Sequence, residues 1–422
     1  MVITTLAHHI DMAWMYEAYR QTRKDGAVGI DGVTAAEYAE DLDTNLGSLL
    51  ERFKSGTYFA PPVWRVEIPK GDGSKTRPIG IPAFEDKVLQ RAVLMVLEAV
   101  YEQDFYDFSY GFRPNRSAHQ ALESLWHRLM EVHGGWVLEA DISSFFDTLD
   151  HKILRSFLDQ RVRDGVIRKM IDKWLKARVL EDGQLRRTGD GTPQGGVISP
   201  LLANIYLHEV LDRWFVEQVL PRMRGPAHLI RYADDFVIVF ADESDARRVM
   251  EALAKRFGKY GLALHPRKTR LIDCGRPSGP GKGGRGGKPP TFDFLGFTHY
   301  WGRSRKGKPV VKRKTAQSRF SRSLGRVALW CKRHRHKPIA DQQRYLSAVL
   351  LGHYSYYGLT GNGRAIGAFR HQLVRIWHYW LRRRSQRRCL TWDHFARLLK
   401  RWPLPPPKVI HSIYRHAANP CA

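Results

Sequence analysis

Residues 229–240 read Leu-Ile-Arg-Tyr-Ala-Asp-Asp-Phe-Val-Ile-Val-Phe, two runs rich in β-branched and aromatic residues around the adjacent carboxylates Asp234 and Asp235. The pattern predicts a tight hairpin with buried strands and a charged tip. A second acidic strand end lies upstream, at Val137-Leu138-Glu139-Ala140-Asp141-Ile142. Residues 1–60 read as helical, with a turn at 26–32 and an amphipathic run over 35–53. Residues 65–70 and 77–82 read as two short strands joined by the turn Gly71-Asp72-Gly73-Ser74. Helical spacing returns over 85–101 in Val88, Leu89, Ala92, Val93, Val96, Leu97 and Val100, and Ser117 is placed to cap another helix. A Gly/Pro loop at 191–200 leads into an apolar helix over 201–211. A helix over 242–260 and an apolar strand at 292–297 follow. Near the end Ile366, Phe369, Leu373, Ile376, Trp377 and Trp380 recur at helical spacing, a core stripe rather than a base-stacking platform, with Arg370 and Arg375 largely off it.

A chain of 422 residues can bury a sizeable core and form two or three domains. Residues 275–290, nearly all Gly, Pro, Lys and Arg, cannot bury a core and read as a flexible basic insertion. Cys274, Cys331, Cys389 and Cys421 never pair as C-x-x-C, which fits a reducing, cytoplasmic location with neither a disulfide framework nor a zinc site. The start carries no basic segment followed by an apolar run, so no signal peptide is expected. No stretch approaches the roughly 18 uninterrupted apolar residues of a membrane span. His334, His336, His371, His378 and His394 lack ligand-like spacing.

Charge changes the picture more. The net charge is +27, yet residues 1–298 hold 41 Lys and Arg against 40 acids. Residues 299–422 hold 28 against only Asp341 and Asp393. Such a one-sided excess implies a polyanion partner, and nucleic acid is the natural one.

Carboxylates on neighbouring strands are what two hard divalent ions need when, about 3.5–4 Å apart, they clamp the attacking and leaving oxygens of a phosphoryl displacement. On Tyr232-Ala233-Asp234-Asp235 the chain resembles the reverse transcriptases encoded by bacterial group II introns. The similarity extends collinearly over about residues 29–415. It takes in Gly29-Ile30-Asp31-Gly32-Val33-Thr34, the block Ser109-Tyr110-Gly111-Phe112-Arg113-Pro114-Asn115-Arg116-Ser117, and Thr192-Pro193-Gln194-Gly195-Gly196 ahead of Ser199-Pro200. Phe292-Asp293-Phe294-Leu295-Gly296-Phe297 and the basic tail, with Leu390-Thr391-Trp392 and Leu404-Pro405-Pro406-Pro407, complete it.

The resemblance implies an α+β right-hand polymerase. Fingers and palm would occupy residues 1–298, with an N-terminal extension over about 1–60 and a mostly antiparallel palm sheet backed by helices. A basic, α-helical thumb and maturase region would follow over 299–422. It makes Asp141, Asp234 and Asp235 the catalytic ligands of Mg2+, and puts Lys70 and Arg77 on the triphosphate of the incoming nucleotide. Phe146 would lie under its sugar, where a ring leaves no room for a 2′-hydroxyl; Gln194 would contact the nucleotide, and Lys268 would lie near the site. The Ser109 block would touch the template. Arg382, Arg383, Arg384, Arg387 and Arg388 are the RNA-binding candidates. The implied partners are group II intron RNA, an RNA template with a DNA primer, deoxynucleoside triphosphates and target DNA, with no membrane. Two other readings share much of the pattern. An RNA-binding splicing factor with an idle polymerase is opposed by the complete carboxylate set, and a reverse transcriptase domesticated into a defence or CRISPR-linked system is opposed by the maturase-like tail. The chain stops about 15 residues after Pro407, too few for a nuclease module, so DNA endonuclease activity is not expected.

Overall fold

The hairpin predicted around Asp234 is present in the computed structural model, which describes residues 1–70, 75–181, 184–186, 195–276, 290–304, 306–384 and 390–412. The chain divides into two units, residues 1–124 with 135–271 and residues 125–134 with 272–422.

In the first unit β1 (Val63–Lys70) pairs antiparallel with β2 (Lys75–Ile81), the hairpin expected from the Gly-rich turn. β3 (Trp136–Asp141), β4 (Val179–Glu181) and β5 (Gln184–Arg186) follow, then β6 (Ala227–Tyr232), β7 (Asp235–Phe240) and β8 (Arg270–Asp273), whose last two residues fall past the unit's end at Leu271. The strands make two sheets, ordered β2-β1-β4-β5 and β6-β7-β3-β8. The second is antiparallel where β6 meets β7 and where β7 meets β3. β7 is central, and every side chain from Phe236 to Phe240 is fully buried, which is why its sequence is a continuous apolar run rather than an alternating one.

Helices pack around these strands. Phe84–Tyr101 buries Val88, Leu89, Ala92, Val93 and Leu97 completely, and Glu243–Lys259 adds Ala246, Val249, Leu253 and Phe257 to the same core. Polar caps set where helices begin. The side chains of Asp11, Asp150, Asp164 and Asp242 each accept from a first-turn N–H, and Thr34 with Glu37 makes a reciprocal capping box. The apolar helix expected over 201–211 is α-helical over Ser199–Leu207 and then widens into a π turn, His208–Asp212.

The second unit holds the antiparallel sheet β9 (Phe292–Phe294), β10 (Phe297–Arg303) and β11 (Pro309–Thr315). The run 292–297, expected as one apolar strand, is two. Leu295 and Gly296, at φ 48° and 79°, turn the chain back, and β9 and β10 pair with each other. Trp126 belongs to this unit and donates from Nε1 to the Val311 carbonyl at 2.9 Å. The helices Gln317–His334, Ile339–Tyr357, Gly363–Arg382 and Trp392–Arg401 complete it. Ile366, Phe369, Leu373 and Trp377 are fully buried among them and Ile376 and Trp380 pack at the edge, so the aromatic stripe is core. No described helix is long and apolar enough to cross a membrane.

Candidate active site

β6 and β7 are joined by only two residues, Ala233 and Asp234, so that Tyr232 faces Asp235 across the hairpin. On the other side of β7, Asp235 stands directly opposite Asp141, the last residue of β3. Directly opposed residues of an antiparallel pair project to the same face with Cβ atoms about 4.5–5.5 Å apart. Three strands therefore bring together the three carboxylates singled out in the sequence. Ala233 has φ +57°, a left-handed conformation that costs a non-glycine residue on the order of 1 kcal/mol and that persists where the surroundings dictate it.

The electrostatics follow from the crowding. Burial, reinforced by the charges of Asp234, Asp141 and Glu139, pushes the Asp235 carboxyl up to about 7. Burial is also the largest influence raising Asp234, with Asp141 adding to it, while Arg77 and Lys268 pull the other way. Lys268 Nζ lies 2.7 Å from Asp141 Oδ2, and Arg270 Nε lies 2.7 Å from Glu139 Oε2. Among the described residues no three His, Cys, Asp or Glu side chains converge closely enough to hold a metal ion as they stand. The donor chemistry nevertheless suits a hard divalent cation: an oxygen-only set whose mutual repulsion a cation would relieve.

The other expected residues fall in several places. Arg77 is exposed on β2 opposite Ile68, two register positions from the pair Lys70 and Lys75; the Lys70 side chain lies outside the described residues. Phe146 is half-buried at the edge of the core, its ring centroid 5.3 Å from that of Phe145. Gln194 lies outside the described residues, but its neighbour Gly195 does not. Gly195 has φ +117°, and a Cβ there would stand 2.2 Å from the Gly80 carbonyl oxygen, so the backbone at Gly195 lies directly on β2. Only glycine permits that approach. Arg382, Arg383 and Arg384 are exposed; Arg383 stacks 3.9 Å over the Tyr379 ring and Arg384 donates to the His336 carbonyl at 3.0 Å. Arg387 and Arg388 lie outside the described residues.

Two features were missed in the sequence. Asp86, at the start of the helix Phe84–Tyr101, is buried and accepts from Tyr58, Gln90 and Trp174, and Gln90 in turn accepts from the Ile198 amide near the end of the Gly/Pro loop. Arg231, Asp212 and Asn204 form a second buried polar cluster, directly beneath the Asp234 turn. The one signal for the latter was a lone arginine in the apolar run Leu-Ile-Arg-Tyr.

Residues 68–299 match the family described as Reverse transcriptase (RNA-dependent DNA polymerase). The chain is also similar to Protein YkfC of Escherichia coli K12, at 37% identity over 61% of this chain and 76% of that protein. It is similar to the Group II intron-encoded protein LtrA of Lactococcus lactis, at 36% identity over 57% of this chain but only 42% of LtrA. Nuclear intron maturase 2, mitochondrial, of Arabidopsis thaliana matches at 28% identity over 32% of this chain and 24% of its own length.

Proposed function

The chain belongs to the reverse transcriptase (RNA-dependent DNA polymerase) family, and from that premise we propose that it is the RNA-directed DNA polymerase of a group II intron, which also binds the intron RNA to assist splicing and mobility. The observation that carries this is the register of β3, β6 and β7, which sets Asp141 opposite Asp235, the chain neighbour of Asp234. The likeness to an intron-encoded protein and an intron maturase supports the splicing role.

In this reading β3, β6, β7 and β8 belong to the palm, residues 1–298 are fingers and palm, and the basic helices within 299–422 are thumb and maturase region. Asp141, Asp234 and Asp235 would hold divalent ions, magnesium in our reading, whose charge would activate the primer 3′-hydroxyl and stabilise the departing pyrophosphate. The chain's own groups do the rest. Arg77 and Lys70 take the triphosphate, Arg as a two-pronged donor and Lys as a point charge. Phe146 blocks the 2′-hydroxyl and so selects deoxynucleotides. Gln194 holds the nucleotide from a loop that Gly195 seats on β2. Lys268 neutralises Asp141 until the site is loaded. The exposed Arg382, Arg383 and Arg384 contact RNA phosphates, and target DNA is the remaining nucleic-acid partner.

Primer extension tests the reading. The full chain, given an RNA template annealed to a DNA primer, deoxynucleotides and Mg2+, should lengthen the primer by copying the template. Tight binding of the template–primer without extension would instead leave a splicing factor with an idle polymerase.

A further inference from the structure

The carboxylate turn rests on a side chain that a buried strand should not contain. Arg231 has no exposed surface, nor does the Asp212 side chain it meets. Its guanidinium donates twice to Asp212, Nε to Oδ1 at 2.8 Å and Nη2 to Oδ2 at 2.5 Å. Nη1 donates to Asn204 Oδ1 at 3.0 Å and to the carbonyl oxygen of Ala233 at 3.1 Å. Asn204 Nδ2 then donates to the Gly111 carbonyl at 2.7 Å. Gly111 itself lies against the turn, for a Cβ there would stand 2.3 Å from the Ala233 amide nitrogen. The backbone of the same segment is stitched to β6: Arg231 N donates to Phe108 O and Tyr110 N to Arg231 O, both at 2.9 Å.

A buried ion pair is a weak means of stabilising a fold, since well-packed apolar residues of similar volume usually do as well. What such residues cannot do is donate to the carbonyl of Ala233. That carbonyl belongs to the peptide plane joining Ala233 to Asp234, and Ala233 is the residue held at φ +57°. Turning the plane over would re-aim the Asp234 Cα–Cβ bond and shift Asp235 against Asp141. Asp212 takes the Nε and Nη2 edge of the guanidinium and Asn204 the other Nη1 hydrogen, which leaves Nη1 one orientation, and the π turn His208–Asp212 is where the helix presents Asp212.

We propose that Arg231 is a positioning residue for the carboxylate site: oriented by Asp212 and Asn204, it fixes the Ala233–Asp234 peptide plane from below while Gly111 fixes it from the side, and so sets the spacing of Asp234 and Asp235 from Asp141. This deepens the polymerase reading and rests on its assignment of those three residues as ion ligands. It also gives Ser109, Tyr110 and Gly111 a task as the segment braced against the side of the turn.

The test is direct Mn2+ binding to the full chain, followed by electron paramagnetic resonance, alongside thermal unfolding and primer extension. Asp234→Asn is the control that identifies the site. The informative variant is Arg231→Met with Asp212→Leu, which replaces the ion pair by apolar groups and removes only the directed hydrogen bonds. It should unfold near the wild-type temperature and bind template–primer normally. Its Mn2+ affinity should fall by about 10–100-fold, the usual cost of losing an outer partner of a ligand. Its kcat should fall on the order of 100-fold with little change in nucleotide KM. Asn204→Ala, which leaves the pair intact, should move both quantities the same way by less, and it serves as the decisive variant if the double substitution does not fold. A folded variant with wild-type Mn2+ affinity and kcat would reduce Arg231 to a filler of the core and overturn the proposal. Mn2+ binding that Asp234→Asn does not weaken would remove the carboxylate assignment itself, and the positioning role with it.

Discussion

At the scale of single residues, the sequence exposes what breaks a pattern and hides what satisfies one. Asp234 and Asp235 stood out because two charges interrupt an apolar hairpin, and Asp141 because an acid ends an apolar strand. Arg231 interrupts the same run, but nothing in a linear pattern tells an exposed arginine from a buried one bonded to Asp212, Asn204 and Ala233. Asp86 was equally silent, since an acid in the first turn of a helix is ordinary at a surface, and here it is buried against Tyr58 and Trp174. Burial pushes its carboxyl up to about 6. A folded-state value above the ordinary one means that the protein gains stability from the protonated form at about pH 4 and loses it as pH rises through about 6. Asp86→Asn keeps an acceptor for the Trp174 and Tyr58 donors. Relative to wild type it should therefore gain on the order of 3 kcal/mol in urea unfolding between pH 4 and pH 7, whereas a constant difference would mean that Asp86 is ionised at no cost. Phe146 is half-buried beside Phe145 and can either fill the core or guard a sugar. Phe146→Ala should relax discrimination against ribonucleotides by roughly 100-fold with modest loss of deoxynucleotide use. Unchanged discrimination would leave it a core residue.

At the scale of elements, the two hairpins and the long helices were legible because turn chemistry and hydrophobic period agree there. The Gly-rich turn gave β1 and β2, and the apolar runs around Asp234 gave β6 and β7. The run 292–297 was not, because one continuous apolar string fits a single buried strand as well as two strands around Leu295 and Gly296. Nor could the pattern show that the helix from Ser199 widens into a π turn at His208–Asp212, since one inserted residue hardly disturbs a mostly apolar face. The Gly/Pro loop offers an element-scale prediction. Gly195→Ala puts a methyl group 2.2 Å from the Gly80 oxygen at a φ of +117°, so the backbone at this position must lift from β2. If that loop presents Gln194 to the nucleotide, the KM for deoxynucleotides should rise by roughly tenfold or more, equivalent to about 1.4 kcal/mol, with template–primer affinity unaltered. A wild-type KM would detach the loop from nucleotide binding.

At the scale of the whole molecule, the charge is the most readable property, because it needs no folding argument. Residues 299–422 carry 28 Lys and Arg against two acids. The four helices within them turn their apolar residues into one cluster around Trp377 and Phe369, which leaves basic faces outward. Where on those faces RNA lies is not written in the composition, since phosphate contacts depend on which arginines the packing leaves exposed. Arg382, Arg383 and Arg384 are exposed. Replacing all three with alanine should weaken RNA binding and flatten the slope of log K against log salt by about two units. An unchanged slope would move the RNA surface to another part of the chain. The central claim, that Asp141, Asp234 and Asp235 form an ion-dependent polymerase centre, is tested most directly by single-turnover extension of a DNA primer on an RNA template. Wild type is compared with Asp234→Asn at matched folding and RNA affinity. Loss of extension by on the order of a thousandfold or more in the variant is predicted, because several kcal/mol of charge stabilisation go with the missing ligand; equal extension by the two proteins would contradict it.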